Sequence, residues 1–346
     1  MLCAGVAQAE ADVLLRPTQL SRRATESVML AVTRADRRLI GGGERGTILY
    51  SDDAGATWRQ AQVPVSVSIT SLHFPTARLG WAVGHSGVIL HSSDAGETWV
   101  KQLDGHQVGA LVLKAAQHAA ADSGVSEAAQ RQLAEAQRLV ADGPDKPLLD
   151  VHFFDAQRGL VVGAYGLILA TDDAGKSWSS LQRRLSNPKG KHLYHIEAAG
   201  HGVYIAGEQG ALYYAHDAQA HFEEVKTPYA GTFFGVLAGR GEHAKEINVF
   251  GLRGNAYWSA DGKTWTKSET GAPNTLTAGL RLADGAIAVV DEAGRILLSR
   301  DGGANFKPLP ITKPTPLTGI VQAADGSLVV AGVRGLTRIA ASEQNR

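Results

Sequence analysis

The chain has a single cysteine, Cys3, in 346 residues, and it has no excess of charge, with 34 Lys and Arg against 34 Asp and Glu. One thiol excludes a disulfide framework and a cysteine-based metal site. Balanced charge provides no overall field to attract nucleic acid or an anionic membrane. No segment reaches the roughly 18 consecutive apolar residues of a membrane-spanning helix. Composition therefore does not identify the fold, which must be inferred from repeated sequence phrases.

Tryptophan is also scarce, and four of the six tryptophans end copies of one short phrase. The phrase reads "SDDAGATW" at 51–58, "SSDAGETW" at 92–99 and "TDDAGKSW" at 171–178, and "SADGKTW" at 259–265 is one residue short. Hydroxyl and carboxylate oxygens at these positions can accept hydrogen bonds from turn N–H groups, which predicts a structural turn, with a direct binding role as the alternative. The assigned residues are Ser51, Asp53, Gly55, Trp58, Ser92, Asp94, Gly96, Trp99, Thr171, Asp173, Gly175, Trp178, Asp261 and Trp265. No tryptophan remains for a sugar-stacking platform.

A second phrase, Gly-x-x-Gly or a close variant, precedes each copy of the first and occurs seven times. Its second glycines follow one another at spacings of 41, 79, 44, 44, 40 and 41 residues. A period near 40 with short β-runs and glycine turns predicts a seven-bladed β-propeller, in which this phrase is the turn between strands two and three. The second glycines are Gly46, Gly87, Gly166, Gly210, Gly254, Gly294 and Gly335.

The last copy has only three strand-like runs, whereas the strand-like segment near residues 12–20 belongs to no copy. We therefore expect residues 12–20 to form the outer strand of the seventh blade and to close the ring. Residues 10–346 then make one propeller.

The single long spacing contains apolar residues at helical intervals, which predicts a helical hairpin at about 107–141 between blades 2 and 3. Its predicted apolar stripe includes Leu111, Ala115, Ala119, Leu133 and Val140. The hairpin belongs to the connection between blades, so we expect it at the Gly-x-x-Gly side of the ring. It is either a structural cap or a docking element.

The two middle residues of the seven turns should ring one mouth of the central channel. Arginine suits the capture of carboxylates by paired hydrogen bonds, which makes this mouth a candidate partner-binding site. The alternative is that each arginine pairs with a neighbouring glutamate. The candidate residues are Arg45, Arg253, Arg334, Tyr165, His85 and Gln209.

The N-terminus predicts export. Ala7-Gln8-Ala9 before Glu10 has the small-x-small form of a signal-peptidase site, so residues 1–9 are interpreted as the remnant of a signal peptide and the protein as periplasmic or otherwise exported. The alternative is an alanine-rich cytosolic N-terminus. Cys3 lacks the lipoprotein acceptor pattern, which needs a leucine three residues before the cysteine.

The first phrase resembles the Asp-box, or bacterial neuraminidase repeat, and the whole pattern over about 25–340 resembles the photosystem II stability/assembly-factor family. That resemblance implies an exported, non-catalytic seven-bladed propeller with an arginine patch for its partner. We accordingly expect a non-enzymatic assembly factor that binds a membrane protein or membrane-protein complex, without a cofactor, metal or nucleic acid.

The competing hypothesis is a sialidase-type glycoside hydrolase or a carbohydrate-binding propeller, because sialidases also carry Asp-boxes. Such hydrolases need an arginine triad, a Tyr–Glu nucleophile pair and an aspartic acid. Their Arg-Ile-Pro stretch has only a distant counterpart here, where Arg16 directly precedes Pro17. The pair His192-x-x-His195 lacks a third ligand at useful spacing for a metal.

Overall fold

The computed structural model describes residues 12–122, 126–200, 202–239, 245–311 and 313–341. In these ranges the strands form seven antiparallel sheets, six with four strands and one with three. Within each sheet the strands follow one another in chain order, as a propeller blade requires. The predicted seven-bladed propeller is confirmed.

The first four blades contain strands β1 to β16. Blade 1 comprises β1 (Met29–Ala35), β2 (Arg38–Gly43), β3 (Ile48–Ser51) and β4 (Arg59–Gln60). Blade 2 comprises β5 (Ile69–His73), β6 (Gly80–Gly84), β7 (Ile89–Ser92) and β8 (Val100–Leu103). Blade 3 comprises β9 (Leu148–Phe153), β10 (Gly159–Gly163), β11 (Ile168–Thr171) and β12 (Ser179–Ser180). Blade 4 comprises β13 (Leu193–Ala199), β14 (Gly202–Gly207), β15 (Leu212–Ala215) and β16 (Glu223–Glu224).

The last three blades contain strands β17 to β27. Blade 5 comprises β17 (Phe233–Ala238), β18 (Ile247–Gly251), β19 (Ala256–Ser259) and β20 (Thr266–Lys267). Blade 6 comprises β21 (Leu276–Arg281), β22 (Ile287–Asp291), β23 (Ile296–Ser299) and β24 (Lys307–Leu309). Blade 7 comprises β25 (Leu317–Gln322), β26 (Leu328–Gly332) and β27 (Gly335–Ile339).

The first strand of each blade contacts the first strand of the next, and β25 contacts β1, so the ring closes between blades 7 and 1. Threonine side chains reinforce three of these contacts. Thr70, Thr277 and Thr318 each donate a hydrogen bond from Oγ1 to the carbonyl oxygen of the first residue in the next inner strand, at 2.7, 2.8 and 2.7 Å. Because these bonds join blades, they support closure without an outer clasp.

Polar side chains also join the inner strands of blades 2, 3 and 4. His73 Nδ1 accepts a hydrogen bond from the Phe153 N–H at 3.0 Å, and Asp150 accepts one from the Ile196 N–H at 2.7 Å. The rings of His73 and His152 stack with centroids 4.4 Å apart. Burial lowers the pKa of His73 to about 4 and that of His152 to about 3, so both imidazoles are neutral at pH 7.

Glycines in the second strands let neighbouring blades approach closely. A Cβ at Gly41 would lie 2.6 Å from Leu336 in blade 7, and one at Gly42 would lie 2.8 Å from Ile69 in blade 2. Larger side chains would separate the blades, which explains the glycine run in this strand.

The prediction for residues 12–20 is wrong. They form no strand, and β27 has no fourth-strand partner among the described residues of blade 7. The segment instead runs beside the linker between blades 1 and 2, where the Thr18 N–H donates to Val63 O at 3.0 Å and the Ser66 N–H donates to Val13 O at 2.9 Å. Leu14 is buried among the apolar residues of blades 1 and 2, and burial of this side chain favours that position.

The predicted helical hairpin is confirmed as α1 (Gly105–Asp122) and α2 (Glu127–Asp142). The predicted stripe is buried in part: Ala119 is buried and Leu111 and Leu133 pack against the core, whereas Val140 on α2 is exposed. The buried face of α1 also includes Val112 and Ala116, which the prediction did not name. The apolar face of α1 joins the core between blades 2 and 3. The predicted signal-peptide remnant, 1–9, lies outside the described residues, and no described helix is long and apolar enough to cross a membrane.

Candidate partner-binding mouth

The turns between strands two and three abut the linkers between blades, so turns and linkers share one face of the ring. The Gly46 N–H donates to Val67 O at 2.7 Å, and the Gly210 N–H donates to Gly231 O at 2.8 Å. We call the seven turns together the Gly-x-x-Gly mouth; they comprise residues 43–46, 84–87, 163–166, 207–210, 251–254, 291–294 and 332–335.

Five of these turns hold their third residue in the left-handed conformation, with φ between 54° and 56°. Non-glycine residues seldom adopt this conformation, so the surrounding turn must impose it. The five residues are Arg45, Ser86, Tyr165, Gln209 and Arg253. In the turns of blades 6 and 7 only the glycines Gly294 and Gly335 have positive φ. Arg334 therefore has a different backbone conformation from Arg45 and Arg253.

All six candidate side chains are exposed: Arg45, Arg253, Arg334, Tyr165, His85 and Gln209. Within the described part of the chain, no carboxylate lies within 4.0 Å of the guanidinium groups of the three arginines. These guanidinium groups are thus available to a ligand.

Two glutamates of the mouth bond to backbone instead. Glu208 accepts a hydrogen bond from the His192 N–H and Glu292 accepts one from the Thr275 N–H, each at 2.9 Å. The bond from Thr275 lowers the pKa of Glu292. Each glutamate holds the residue that precedes the first strand of its own blade, so neither supports the alternative of arginine–glutamate pairing.

The three arginines differ in their neighbours. Arg45 and Arg334 lie on adjacent blades, because blade 7 contacts blade 1, whereas blade 6 separates Arg253 from Arg334. Blades 7 and 1 are thus adjacent through contact between β1 and β25, without the predicted outer strand.

Sequence reasoning missed the exposed arginines of the N-terminal segment. The N-terminal segment crosses this part of the mouth, where Thr18 Oγ1 donates to the carbonyl oxygen of Arg45 at 2.9 Å. Arg16, Arg22 and Arg23 of the segment are exposed. The visible signal was the basic pair Arg22-Arg23, which follows the residues 12–20 that were assigned to the edge of blade 7.

A row of aromatic rings lies on blades 3, 4 and 5. Ring centroids are 4.9 Å apart for Tyr165 and His192, 6.4 Å apart for His192 and Tyr194, and 4.9 Å apart for Tyr194 and Phe234. A count of tryptophans alone misses this row. Tyr194 and Phe234 occupy the second position of their inner strands, where blades 2, 6 and 7 have threonine.

The Asp-boxes lie on the opposite face, in the turns between strands three and four, and their polar groups bond within the turn. In blade 1, Ser51 Oγ accepts from the Gly55 N–H at 2.9 Å, and Asp53 accepts from the Thr57 N–H at 2.8 Å. Hydrogen bonds from Thr57 lower the pKa of Asp53 to about 2. The boxes of blades 2 and 3 repeat this geometry.

The weaker copies differ from one another. Blade 6 keeps the complete geometry, since Ser299 bonds Asp301 at 2.7 Å and Asn305 takes the place of threonine. In blade 5, Asp261 still accepts from the Thr264 N–H at 2.7 Å. The carboxylates of these boxes have partners inside their own turns, which leaves the Gly-x-x-Gly mouth as the better candidate for binding. In the described ranges no three His, Cys, Asp or Glu side chains are grouped to hold a metal ion.

A family model described as photosynthesis system II assembly factor YCF48 matches residues 24–116 and 129–289. The chain belongs to the YCF48 family. The match leaves out 117–128, where α1 ends and α2 begins. The family description names an assembly factor, which agrees with the expected non-enzymatic role and gives the hydrolase hypothesis no support.

One relative in the YCF48 family is the photosystem II assembly lipoprotein Ycf48 of Synechococcus sp. (strain CC9902), 28% identical over 160 residues. The alignment spans 45% of this chain and 46% of the relative, so the chain matches about half of that protein's length.

Two solved structures show the same fold. YCF48 bound to D1 peptide has a TM-score of 0.65 and 15% identity, with 93% of this chain and 95% of that chain covered. YCF48 from Cyanidioschyzon merolae has a TM-score of 0.63 and 14% identity, with 94% and 98% covered.

Proposed function

We propose that the protein is an exported assembly factor that holds a segment of a membrane-protein partner at the Gly-x-x-Gly mouth, with Arg45, Arg253 and Arg334 as the principal contacts. The observation that carries this proposal is the exposure of three guanidinium groups that have no carboxylate within 4.0 Å in the described chain. Each can form paired hydrogen bonds with a partner's carboxylate.

The neighbouring residues support the same site. Arg16, Arg22 and Arg23 add positive charge on the segment that crosses the turn of Arg45, and the aromatic row that begins at Tyr165 offers apolar surface farther around the mouth. His85 and Gln209 are exposed in the turns of blades 2 and 4 and complete the candidate contacts. A segment with carboxylates and apolar side chains would match this distribution.

The family relatives suggest the class of partner. One solved relative is described as bound to a D1 peptide, and another relative is described as a photosystem II assembly lipoprotein. We infer by analogy that the partner is a membrane protein or a membrane-protein complex. The partner need not be a photosystem protein, because a fold shared at 15% identity does not transfer a ligand.

Replacement of Arg45, Arg253 and Arg334 together by alanine should reduce recovery of the partner in co-purification from native membranes. Binding of the parent protein to its partner should weaken as the salt concentration is raised, because the contacts are ionic. The matched control replaces Arg59, Arg158 and Arg300, which are similarly exposed on the Asp-box side of the ring, by alanine.

Exposed substitutions usually change the free energy of unfolding by less than about 0.5 kcal/mol, so both triple variants should fold. Partner recovery that is undiminished in the mouth variant, or equally diminished in the control, would show that the mouth is not the site. Release of sugar from a glycoside panel by the purified protein would refute the non-enzymatic function itself.

The exported location rests on the Ala7-Gln8-Ala9 site and is supported by the lipoprotein description of the relative. We expect the mature protein in the periplasmic fraction with its N-terminus at Glu10. An intact chain that begins at Met1 in the cytosol would contradict the proposed location while leaving the binding site untouched.

A further inference from the structure

A cleft of about 600 Å³ separates the helical hairpin from blade 3. One wall is formed by α1 and α2, and the other by the turn of blade 3 and the linker between blades 3 and 4. Val112, Ala116 and Ala136 from the helices face Leu167 and Leu185 from the blade side across an apolar floor. A volume of this size fits a small ligand or a short extended chain.

The rim of the cleft is basic on balance, because four cations line it against two acids, Glu135 and Asp142. Arg138, Arg183 and Lys189 are exposed, and none has a carboxylate within 4.0 Å among the residues that the structure describes. Lys146 is different, because it contacts Asp142 at 3.3 Å and Asp145 at 2.6 Å. Three cations with no ion-pair partner therefore surround the apolar floor.

The blade side of the cleft is held in place before any ligand binds. Asn187 fixes the linker loop, since its Oδ1 accepts from the Lys191 N–H and its Nδ2 donates to Lys191 O, both at 2.9 Å. Gln182 Nε2 donates to Gly166 O at 3.4 Å and ties the linker to the mouth turn. A preformed wall reduces the entropy lost when a ligand binds.

We propose that this cleft binds an extended acidic peptide segment, with an apolar side chain on the floor and adjacent carboxylates on Arg138, Arg183 and Lys189. Charge complementarity favours an acidic ligand. Polar groups along the walls favour a peptide over an acyl chain. A peptide backbone can hydrogen-bond to Gln132 and to the second N–H of the Asn187 amide, whereas an acyl chain would only desolvate them.

Tyr165 connects the cleft with the mouth. It lines the cleft, belongs to the turn of blade 3 and is 55% exposed, with Lys146 Nζ 5.3 Å from its ring centroid. A chain that binds at the mouth can therefore continue into the cleft. The inference that the peptide is part of the assembly partner rests on the proposed function, whereas the inference that the cleft binds an acidic peptide does not. The hairpin is then a docking wall as well as a cap.

The purified full chain should be titrated, with fluorescence anisotropy as the readout, against a panel of labelled short peptides in which Leu, Phe, Asp and Glu vary in order. Two matched panels replace the acids by their amides or the apolar residues by serine. We expect members of the first panel to bind and both replacements to raise Kd by about tenfold or more.

Arg183→Glu combined with Lys189→Glu should raise Kd for the best peptide by about tenfold and reverse its salt dependence. The control is Lys176→Glu combined with Lys263→Glu, which makes the same charge change at exposed Asp-box positions and should leave Kd within about twofold.

The cleft proposal is overturned if no peptide of the first panel binds, or if dodecanoate binds and no peptide does. It is also overturned if the variant with Arg183→Glu and Lys189→Glu has the same Kd for the best peptide as the parent. If that variant keeps its peptide affinity and the Arg45, Arg253 and Arg334 variant loses it, the proposed function stands and the cleft proposal fails. If the mouth variant instead keeps both peptide binding at the cleft and full recovery of the partner, the cleft proposal stands and the proposed function fails.

Discussion

The two faces of the ring carry two repeated turns that use their polar side chains in opposite ways. In the Asp-box turn of blade 2, Ser92 and Asp94 bond to the backbone of the same turn. In the Gly-x-x-Gly turns, Arg45 and Arg253 project charges that no described carboxylate meets. The residues that repeat therefore mark the architecture, whereas the exposed arginines among the varying turn residues are free to serve binding.

Both turns nevertheless depend on close backbone approach. Gly254 has φ of 69°, and a Cβ there would lie 1.5 Å from Ala272 O in the linker to the next blade. Gly55 has φ of 88°, and its Cβ would lie 2.9 Å from the side chain of Val329 in blade 7. The obstacle at the mouth is backbone and cannot move aside, whereas the obstacle at the Asp-box is the end of a side chain.

The largest effect is expected from Gly254→Ala, because the new methyl group must displace the linker backbone. We expect a loss of more than about 3 kcal/mol in the free energy of unfolding, or no folded protein. Gly271→Ala is the matched control, since Gly271 has φ of 59° but no atom within 4 Å of its added Cβ. It should lose only about 1–2 kcal/mol. Equal losses in chemical denaturation would show that backbone strain alone, and not close approach, sets the requirement for glycine.

An intermediate effect is expected from Ser92→Ala in an Asp-box. The buried hydroxyl accepts from the Gly96 N–H at 2.9 Å and bonds Asp94 at 2.8 Å, and its loss leaves the N–H without a partner. We expect a loss of about 1–3 kcal/mol. Ser93→Ala, at the exposed neighbouring position, should change the free energy of unfolding by less than about 0.5 kcal/mol. If Ser92→Ala and Ser93→Ala have the same melting temperature, the Asp-box hydrogen bonds do not stabilise the blade.

The smallest effect is expected from the charge state of the Asp-boxes. Hydrogen bonds lower the pKa of Asp53, Asp173 and Asp301 to about 2, below the ordinary value of 3.8. Each folded carboxylate therefore contributes stability that is complete above about pH 4 and is lost as pH falls from about 4 to about 2. Asp53→Asn should lower the melting temperature at pH 7, and its difference from the parent should shrink over that interval.

The comparison with Asp53→Asn isolates the carboxylate from other acid-sensitive groups. The lowered pKa values of His73 and His152 remove stability as pH falls below 6.5, because the unfolded chain binds those protons first, but they do so equally in parent and variant. A difference in melting temperature that stays constant between pH 7 and pH 2 would contradict the role assigned to the charge of Asp53.

The error at the N-terminus has a clear physical reason. An edge strand and an extended segment beside a linker have the same alternating sequence, and any blade of a symmetric ring offers a similar edge. Three-dimensional closure of the ring by Thr318 and β1 made an outer clasp unnecessary, while Leu14 found a buried site between blades 1 and 2. Neither fact is visible in the local pattern of residues 12–20.

The blade number and the helical hairpin could be predicted from the sequence because both depend on local periodicity. A glycine turn recurs in every blade between the second and third strands. The hairpin formed by α1 and α2 begins and ends within two residues of the predicted 107–141 boundaries, because helical spacing is a property of neighbouring residues. Tertiary structure decided that Val112 and Ala116 lie on the buried face of α1 and that the N-terminal segment crosses the turn of Arg45. The same is true of the cleft beside Tyr165 and of the aromatic row. The cleft forms where the hairpin packs over blade 3, and the row joins residues of neighbouring blades that are far apart in the sequence.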